Sequence, residues 1–126
     1  MSHDIVADAL NMIQNAKKAR KDKVKINRIS NLLIEVLKIM RQKEAIRNYK
    51  INSKEKTIEI GIGEIFECKA IKPRYTVDKT QIDRYVRRYL PARGVGTVVV
   101  STNKGLMTHY TALEKNKGGS LIAYFY

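Results

Sequence analysis

The stretch from Thr97 to Tyr126, TVVVSTNKGLMTHYTALEKNKGGSLIAYFY, determines how we interpret the rest of the chain. Three consecutive valines at 98–100 form a β-branched run without helical spacing, which is typical of a buried strand. A polar loop follows at 101–105, a short helix is predicted from about residue 109 to residue 116, and residues 121–126 return as the final strand. The stretch therefore predicts two buried strands separated by a polar loop and a helix.

The polar loop reads Ser101-Thr102-Asn103-Lys104-Gly105 and contains no apolar side chain. It offers two hydroxyls, an amide, an ammonium and a flexible glycine, and such a loop can face a polar ligand. The same residue types are also common in ordinary connections between a strand and a helix. On local composition alone, both interpretations remain open.

The helix after this loop has predicted boundaries at both ends. The Thr108 hydroxyl can accept a free backbone N–H at the start of the helix. The pair Gly118-Gly119 is predicted to end it with a left-handed or otherwise strained turn. The sequence thus marks both ends of a short helix that lies between the loop and the last strand.

The charge of the chain indicates a polyanionic partner. Lys and Arg total 25 against 12 Asp and Glu, a formal charge of +13 with a sequence pI near 10.0, in 126 residues of which 44% are hydrophobic. Residues 1–66 carry 14 basic and 8 acidic side chains, and residues 67–126 carry 11 and 4. We therefore expect a globular protein with both halves in contact with the polyanion.

Several other classes of protein are disfavoured. No apolar run approaches the roughly 18 to 20 residues needed to span a bilayer, and no signal peptide precedes Ile5, so a cytoplasmic location without membrane contact is expected. The single cysteine, Cys68, fits a reducing compartment and is expected to be a small buried residue of a strand. His3, His109 and Cys68 match no metal-ligand spacing, so we expect no metal, no cofactor and no small-molecule substrate.

Residues 1–66 predict a small α+β subdomain. Apolar positions from Ile5 to Ala16 recur at helical spacing, with Ser2 or Asp4 as the cap. The remaining predicted elements are a strand at 23–26, a helix capped by Ser30 or Asn31 with Leu33 to Met40 on its apolar face, and a hairpin of residues 44–50 and 56–63 with its turn at 52–55. The order is helix, strand, helix, strand, strand, with the helices on one face of the sheet.

A cluster of cations ends the first helix. Lys17, Lys18, Arg20, Lys21 and Lys23 fall within seven positions, where they suit the negative pole of the helix dipole. A solvated helix end explains them, and so does a corner that contacts phosphate. Both interpretations remain open on the residues alone.

Residues 67–126 predict a second, mostly-β subdomain with two short helices. A strand from Phe66 to Ile71 leads to Lys72-Pro73-Arg74-Tyr75, in which two cations and a ring suit phosphate binding and stacking, or else form a basic turn. Asp78 or Thr80 caps a helix that runs to about Tyr89. Arginines at 84, 87 and 88 form a stripe on it, facing either RNA or solvent.

The order of motifs resembles the small-subunit ribosomal protein eight family. Residues 99–108, Val-Val-Ser-Thr-Asn-Lys-Gly-Leu-Met-Thr, are similar to a family segment whose usual form is Ser-Thr-Ser-x-Gly-x-Met-Thr, and a glycine pair follows in both. Further similar segments are Ala7-Asp8-Ala9-Leu10, Ile13-Gln14-Asn15-Ala16, Ile71-Lys72-Pro73-Arg74 and Leu90-Pro91-Ala92-Arg93. The last two resemble the archaeal and eukaryotic branch. The chain departs from the family pattern at Asn103, Thr111 and Ser120.

The resemblance implies a structural protein of the small ribosomal subunit that binds the central domain of its RNA, supports assembly of that domain and has neighbouring ribosomal proteins. It implies binding mostly through the C-terminal half. Together with the residue patterns above, it gives the expected RNA contacts: Asn15, Lys17, Lys18, Lys72, Pro73, Arg74, Tyr75, Arg93, Ser101, Thr102, Asn103, Lys104, Gly105, Met107, Thr108, Gly118 and Gly119.

Two other functions were weighed against this one. An enzyme is disfavoured, because the acidic residues are scattered and no carboxylate is placed to orient His109 beside Ser101 and Thr102. An RNA chaperone or translational repressor acting away from the ribosome would use the same RNA surface. The sequence alone does not separate that role from the ribosomal one.

Overall fold

A computed structural model describes residues 4–72, 74–92 and 94–126. The chain forms two compact units, Met1–Lys69 and Ala70–Tyr126. The mixture of helices and sheets confirms the predicted α+β class with two subdomains. Each unit is described by itself below.

The first unit contains two helices and a three-stranded sheet. Its elements are α1 (Ile5–Lys18), β1 (Lys23–Ile26), α2 (Asn31–Gln42), β2 (Ile46–Asn52) and β3 (Thr57–Ile62). The sheet is antiparallel with the order β1-β3-β2. This order of elements is the one predicted from the periodicity of residues 1–66.

Side-chain caps fix where both helices of the first unit begin. Asp4 accepts the backbone N–H of Ala7 at 3.1 Å, and Ser30 accepts that of Leu33 at 3.1 Å. The apolar faces of the helices are buried, as Leu10 and Leu37 illustrate with exposed fractions of 1% and 0%. Alternating residues of β3 complete this core, which confirms the predicted amphipathic pattern.

The second unit is built around a second antiparallel sheet. Its elements in chain order are β4 (Cys68–Ala70), which lies at the boundary of the units, β5 (Thr76–Val77), α3 (Ile82–Tyr89), β6 (Thr97–Thr102), β7 (Gly105–Thr108), α4 (His109–Glu114) and β8 (Gly119–Phe125). The strand order is β4-β8-β6-β7, with β5 also paired to β8. Strand β8 is therefore bordered by β6 and by the two short strands.

One apolar core joins α3 to the sheet of the second unit. It contains Ile82 and Leu90 from the α3 region, Val98 and Val100 from β6, and Leu121 from β8, all buried. Half-buried tyrosines pack against the edge of this core. This face of the sheet is thus closed by α3, which leaves the other side chains of β6 and β8 on the opposite face.

One predicted strand differs from the structure, and two strands of the structure were not predicted. The strand predicted from Phe66 is shorter and begins at Cys68, and the Phe66 side chain is 83% exposed rather than packed. Strands β5 and β7 were not predicted at all. Strand β5 has only two residues, and the four residues of β7, Gly-Leu-Met-Thr, do not alternate between polar and apolar side chains as those of β1 do.

The start of α3 also differs from the prediction. Its N-cap is Gln81, and neither Asp78 nor Thr80 caps it. The Asp78 carboxylate instead accepts the backbone N–H groups of Thr80 and Gln81 at 2.9 and 3.1 Å, which organises the turn before the helix. The Thr80 hydroxyl also bonds this carboxylate and holds its pKa below the usual value.

Candidate nucleic-acid interface

The predicted loop at 101–105 is a tight hairpin between β6 and β7. Thr102 pairs with Gly105 across the two strands, and Asn103 and Lys104 form the exposed tip. The Thr102 hydroxyl donates to the Gly105 carbonyl at 2.9 Å and accepts from the Lys104 N–H at 3.1 Å. Thr102 therefore shapes the turn, while the side chains of Asn103 and Lys104 are exposed at the tip.

A row of hydroxyls crosses three strands beside this hairpin. Ser101 on β6 pairs with Ser120 on β8, and Ser120 pairs with Thr76 on β5. The hydroxyls of Thr76 and Ser120 lie 3.3 Å apart. Directly paired residues of a sheet share a face, so the three hydroxyls form a continuous row. We call Thr76, Ser120 and Ser101 the hydroxyl row.

The glycine pair allows the strands of this row to approach each other. A β-carbon at Gly119 would clash with the Ser101 carbonyl, and one at Gly118 would lie 2.5 Å from the Val77 carbonyl oxygen. Neither glycine has the left-handed conformation predicted for the end of the helix; Asn116 takes that role at φ 54°. Gly118 and Gly119 therefore shape the site by close packing.

Two predicted contact residues lie inside the protein. Met107 is 9% exposed and belongs to the core, and Thr108 is 7% exposed. Thr108 caps α4 as predicted by accepting the Thr111 N–H at 3.2 Å. The next residue, His109, is also buried, and its Nδ1 accepts the Val98 N–H at 3.0 Å. These residues hold α4 against the sheet behind the hairpin.

The basic segment before β5 borders the same sheet. Lys72 and Arg74 are exposed, and the Tyr75 carbonyl accepts the Leu121 N–H at 2.9 Å. This bond fixes the segment against β8, one residue from Thr76 of the hydroxyl row. Pro73 and Arg93 lie outside the described residues.

The remaining predicted contacts are on the first unit. Asn15, Lys17 and Lys18 are exposed near the end of α1, and the Lys17 ammonium lies 3.5 Å from the Gly63 carbonyl oxygen. The chain then turns at Arg20, which has φ 59°. The result is an exposed basic corner on the first unit, whereas the hydroxyl row belongs to the second unit.

Two polar residues of the site were missed in the sequence. Thr76 and Ser120 join Ser101 only because β5 and β8 pair in this register. Ser120 attracted notice only as a departure from the family pattern, and β5 was not predicted. One signal could have identified Ser120: it is a polar residue directly after a glycine pair, and it pairs with the polar Thr76 of another strand.

Other kinds of site were sought in the described ranges 4–72, 74–92 and 94–126. No helix there is long and apolar enough to cross a bilayer. No group of three or more His, Cys, Asp or Glu residues within them is arranged to hold a metal ion.

Comparison with known proteins identifies the family of the chain. The sequence model of the family described as Ribosomal protein S8 matches residues 4–126. The chain belongs to the ribosomal protein S8 family. This membership confirms the resemblance inferred from the C-terminal motifs.

Three archaeal S8 relatives, each named small ribosomal subunit protein uS8, match nearly the whole chain. The relative from Nanoarchaeum equitans is 43% identical, and the alignment covers 100% of both chains. The one from Methanococcoides burtonii is 39% identical over 98% of this chain and 97% of its own. The relative from Picrophilus torridus is 35% identical over 100% of both. These S8 relatives agree with the predicted archaeal or eukaryotic branch.

Proposed function

We propose that the chain is a structural protein of the small ribosomal subunit and binds the central domain of the subunit RNA through the hydroxyl row and the β6–β7 hairpin. The observation that carries this proposal is the alignment of Thr76, Ser120 and Ser101 across three strands. Membership of a ribosomal protein family supports it. The proposed cellular location is the ribosome in the cytoplasm.

The chemistry of the row suits an irregular RNA segment. A hydroxyl both donates and accepts, so Ser101 and Ser120 can bond 2′-hydroxyls, phosphate oxygens and base edges. Regular A-form RNA hides its major groove and is recognised mainly by shape and 2′-hydroxyl contacts. Serine and threonine side chains are short, so a sugar edge can approach the row closely.

Positive charge supplies the affinity in this proposal. Lys104 at the hairpin tip and Lys72 and Arg74 beside β5 surround the row with exposed cations. The basic corner of the first unit, Lys17 and Lys18, adds phosphate contacts at a second place. Phosphate neutralisation gives sequence-independent, salt-dependent affinity, so the hydroxyls are left to provide specificity.

The burial and the hydrogen bonding of His109 also favour a structural role over catalysis. Its Nδ1 atom is occupied by the Val98 N–H inside the sheet, and the side chain is buried. The imidazole therefore holds α4 to β6, whereas a general base needs to reach a substrate. Neighbouring ribosomal proteins are the proposed protein partners.

Filter binding tests the proposal. The double variant S101A/S120A is compared with the unmodified protein on a central-domain RNA fragment and on a scrambled RNA of equal length, across a salt series. We expect affinity for the specific fragment to fall about tenfold or more, from two lost hydrogen bonds at about 1 kcal/mol each, with binding to scrambled RNA unchanged.

The matched control is S53A, which removes the same hydroxyl from an exposed turn of the first unit. It should bind both RNAs as the unmodified protein does. Equal losses on the two RNAs for S101A/S120A would contradict specific recognition by the row.

A further inference from the structure

Five tyrosines, in two groups of contacting rings, pack against the apolar core of the second unit. The rings of Tyr75 and Tyr85 are 5.3 Å apart, those of Tyr89 and Tyr124 are 5.3 Å apart, and those of Tyr124 and Tyr126 are 6.4 Å apart. All five are half-buried. Burial and the neighbouring Tyr75 and Tyr85 raise the pKa of Tyr89, consistent with two neighbouring groups.

Arg88 extends this surface as a flat cation. Its guanidinium carbon lies 5.0 Å from the centre of the Tyr85 ring. This cation–π contact holds the guanidinium beside the Tyr85 ring, so less side-chain freedom is lost when another planar group binds its outer face. The adjacent Arg87 differs, because it bonds the Asp83 carboxylate at 2.9 Å.

This aromatic surface faces away from the hydroxyl row. The tyrosines pack on the core that contains Val100 and Leu121. Ser101 and Ser120 are the immediate chain neighbours of those two residues, and successive residues of a strand point to opposite faces of the sheet. A ligand on the tyrosines is therefore separate from one on the hydroxyl row.

We propose that the five tyrosines and Arg88, the stacking surface, bind an unpaired RNA segment, so that the second unit holds two RNA segments on opposite faces of its sheet. This inference builds on the proposed function but names a different site. Unpaired bases stack on aromatic rings and on arginine planes, and both are present here. Lys79, Arg84 and Arg87 supply exposed positive charge around it, which favours RNA over an apolar protein partner.

Tyrosine fluorescence provides a direct probe of this surface. The chain has no tryptophan and seven tyrosines, of which five belong to the stacking surface. Titration with an eight-nucleotide oligoadenylate should quench most of this emission, because stacked purines quench the rings. The hydroxyl-row variant S101A/S120A should give the same titration, which separates the two proposals.

Variants of the neighbouring arginines distinguish stacking from charge. Both R88A and R88K should bind oligoadenylate about fivefold more weakly or worse, since one stacked base is lost and lysine has no plane. R87A removes the same charge from the same helix and should only reduce the salt dependence slightly. R41A is the control for arginine–tyrosine pairing, because Arg41 lies 5.2 Å from the Tyr49 ring on the first unit.

The expected result is loss with R88A and R88K, little change with R87A, and none with R41A. Circular dichroism checks that each variant is folded, as we expect because Arg41, Arg87 and Arg88 are all exposed. Equal weakening by R87A and R88A, with R88K unchanged, would overturn the proposal and leave only unspecific charge. No quenching by oligoadenylate would also overturn it and leave the surface for a protein partner.

Discussion

Gly119 of β8 packs directly against the backbone of Ser101 on β6, with no room for a β-carbon between them. This contact brings the two strands that carry Ser101 and Ser120 into register at the edge of the hairpin. The glycine is therefore required by packing, and its neighbours Ser101 and Ser120 carry the hydroxyls of the proposed site.

Substitution of this glycine should damage the site through the fold. We expect G119A to lower the free energy of unfolding by about 1–3 kcal/mol, because the new methyl group overlaps the Ser101 carbonyl. Urea denaturation measures the loss. The adjacent S120A variant is the control and should stay within about 0.5 kcal/mol; a similar loss in both would argue against close packing as the cause.

The hairpin turn should depend on the Thr102 hydroxyl. T102V removes its bonds to Gly105 and Lys104, so we expect a loss of about 1 kcal/mol and faster hydrogen exchange at the Lys104 amide. T102S keeps the hydroxyl and should preserve both properties. Unchanged amide exchange in T102V would contradict the role assigned to the Thr102 hydroxyl.

The exposed tip of the hairpin should matter for RNA binding and not for stability. N103A alters only this tip, so it should keep the free energy of unfolding while weakening specific RNA binding.

The buried thiol of Cys68 should make stability fall at high pH. Burial, with a contribution from Glu67, raises the pKa of this thiol from 9.0 to about 12 in the folded protein. Above about pH 9 the unfolded chain loses the thiol proton while the folded chain keeps it, which favours unfolding. The free energy of unfolding should thus fall by about 1.4 kcal/mol per pH unit between pH 9 and 12 from this group alone.

Comparison with C68A isolates this effect from the titration of lysines and tyrosines. Urea unfolding at pH 8 and pH 10 should show a smaller decrease for C68A than for the unmodified protein. The thiol should also resist alkylation at pH 8 until urea unfolds the chain. Equal pH dependence in the two proteins would show that Cys68 is not the titrating group.

The buried imidazole of His109 should be a structural requirement. H109F leaves the Val98 N–H without its acceptor inside the sheet, so we expect a loss of about 1–3 kcal/mol in the free energy of unfolding. Y110F is the comparison, since it removes a bond from the Tyr110 hydroxyl to the Gly96 carbonyl at an exposed ring. It should cost less than about 1 kcal/mol. A stable H109F with reduced RNA affinity would instead assign His109 to the interface.

Most of the fold could be predicted because its elements have strong local patterns. Residue type and spacing predicted the strand at 23–26 and the cap Thr108. For the first two helices they left two candidate caps each, of which Asp4 and Ser30 are the ones used. Strands β5 and β7 were not predicted, since β5 has only two residues and the sequence of β7, Gly-Leu-Met-Thr, lacks the alternation that marks the strand at 23–26. Strands β5 and β7 form by pairing with other strands, and local propensity does not predict that pairing.

The candidate site was predicted only in part for the same reason. The hairpin tip was recognisable, but Thr76 and Ser120 enter the site through strand pairing. Met107 and Thr108 are buried behind the surface, and the residues next to them in the sequence did not indicate this burial. The RNA contacts of all these residues remain predictions.

The hydroxyl row has a consequence for the timing of synthesis. Ser120 follows Thr76 and Ser101 in the chain, so the row is completed only when β8 inserts between β5 and β6. A nascent chain that lacks β8 leaves β5 without this partner and one edge of β6 open, so the row is incomplete. Under the proposed function, specific RNA binding would require the finished sheet, and incompletely made molecules would not take a place in a growing particle.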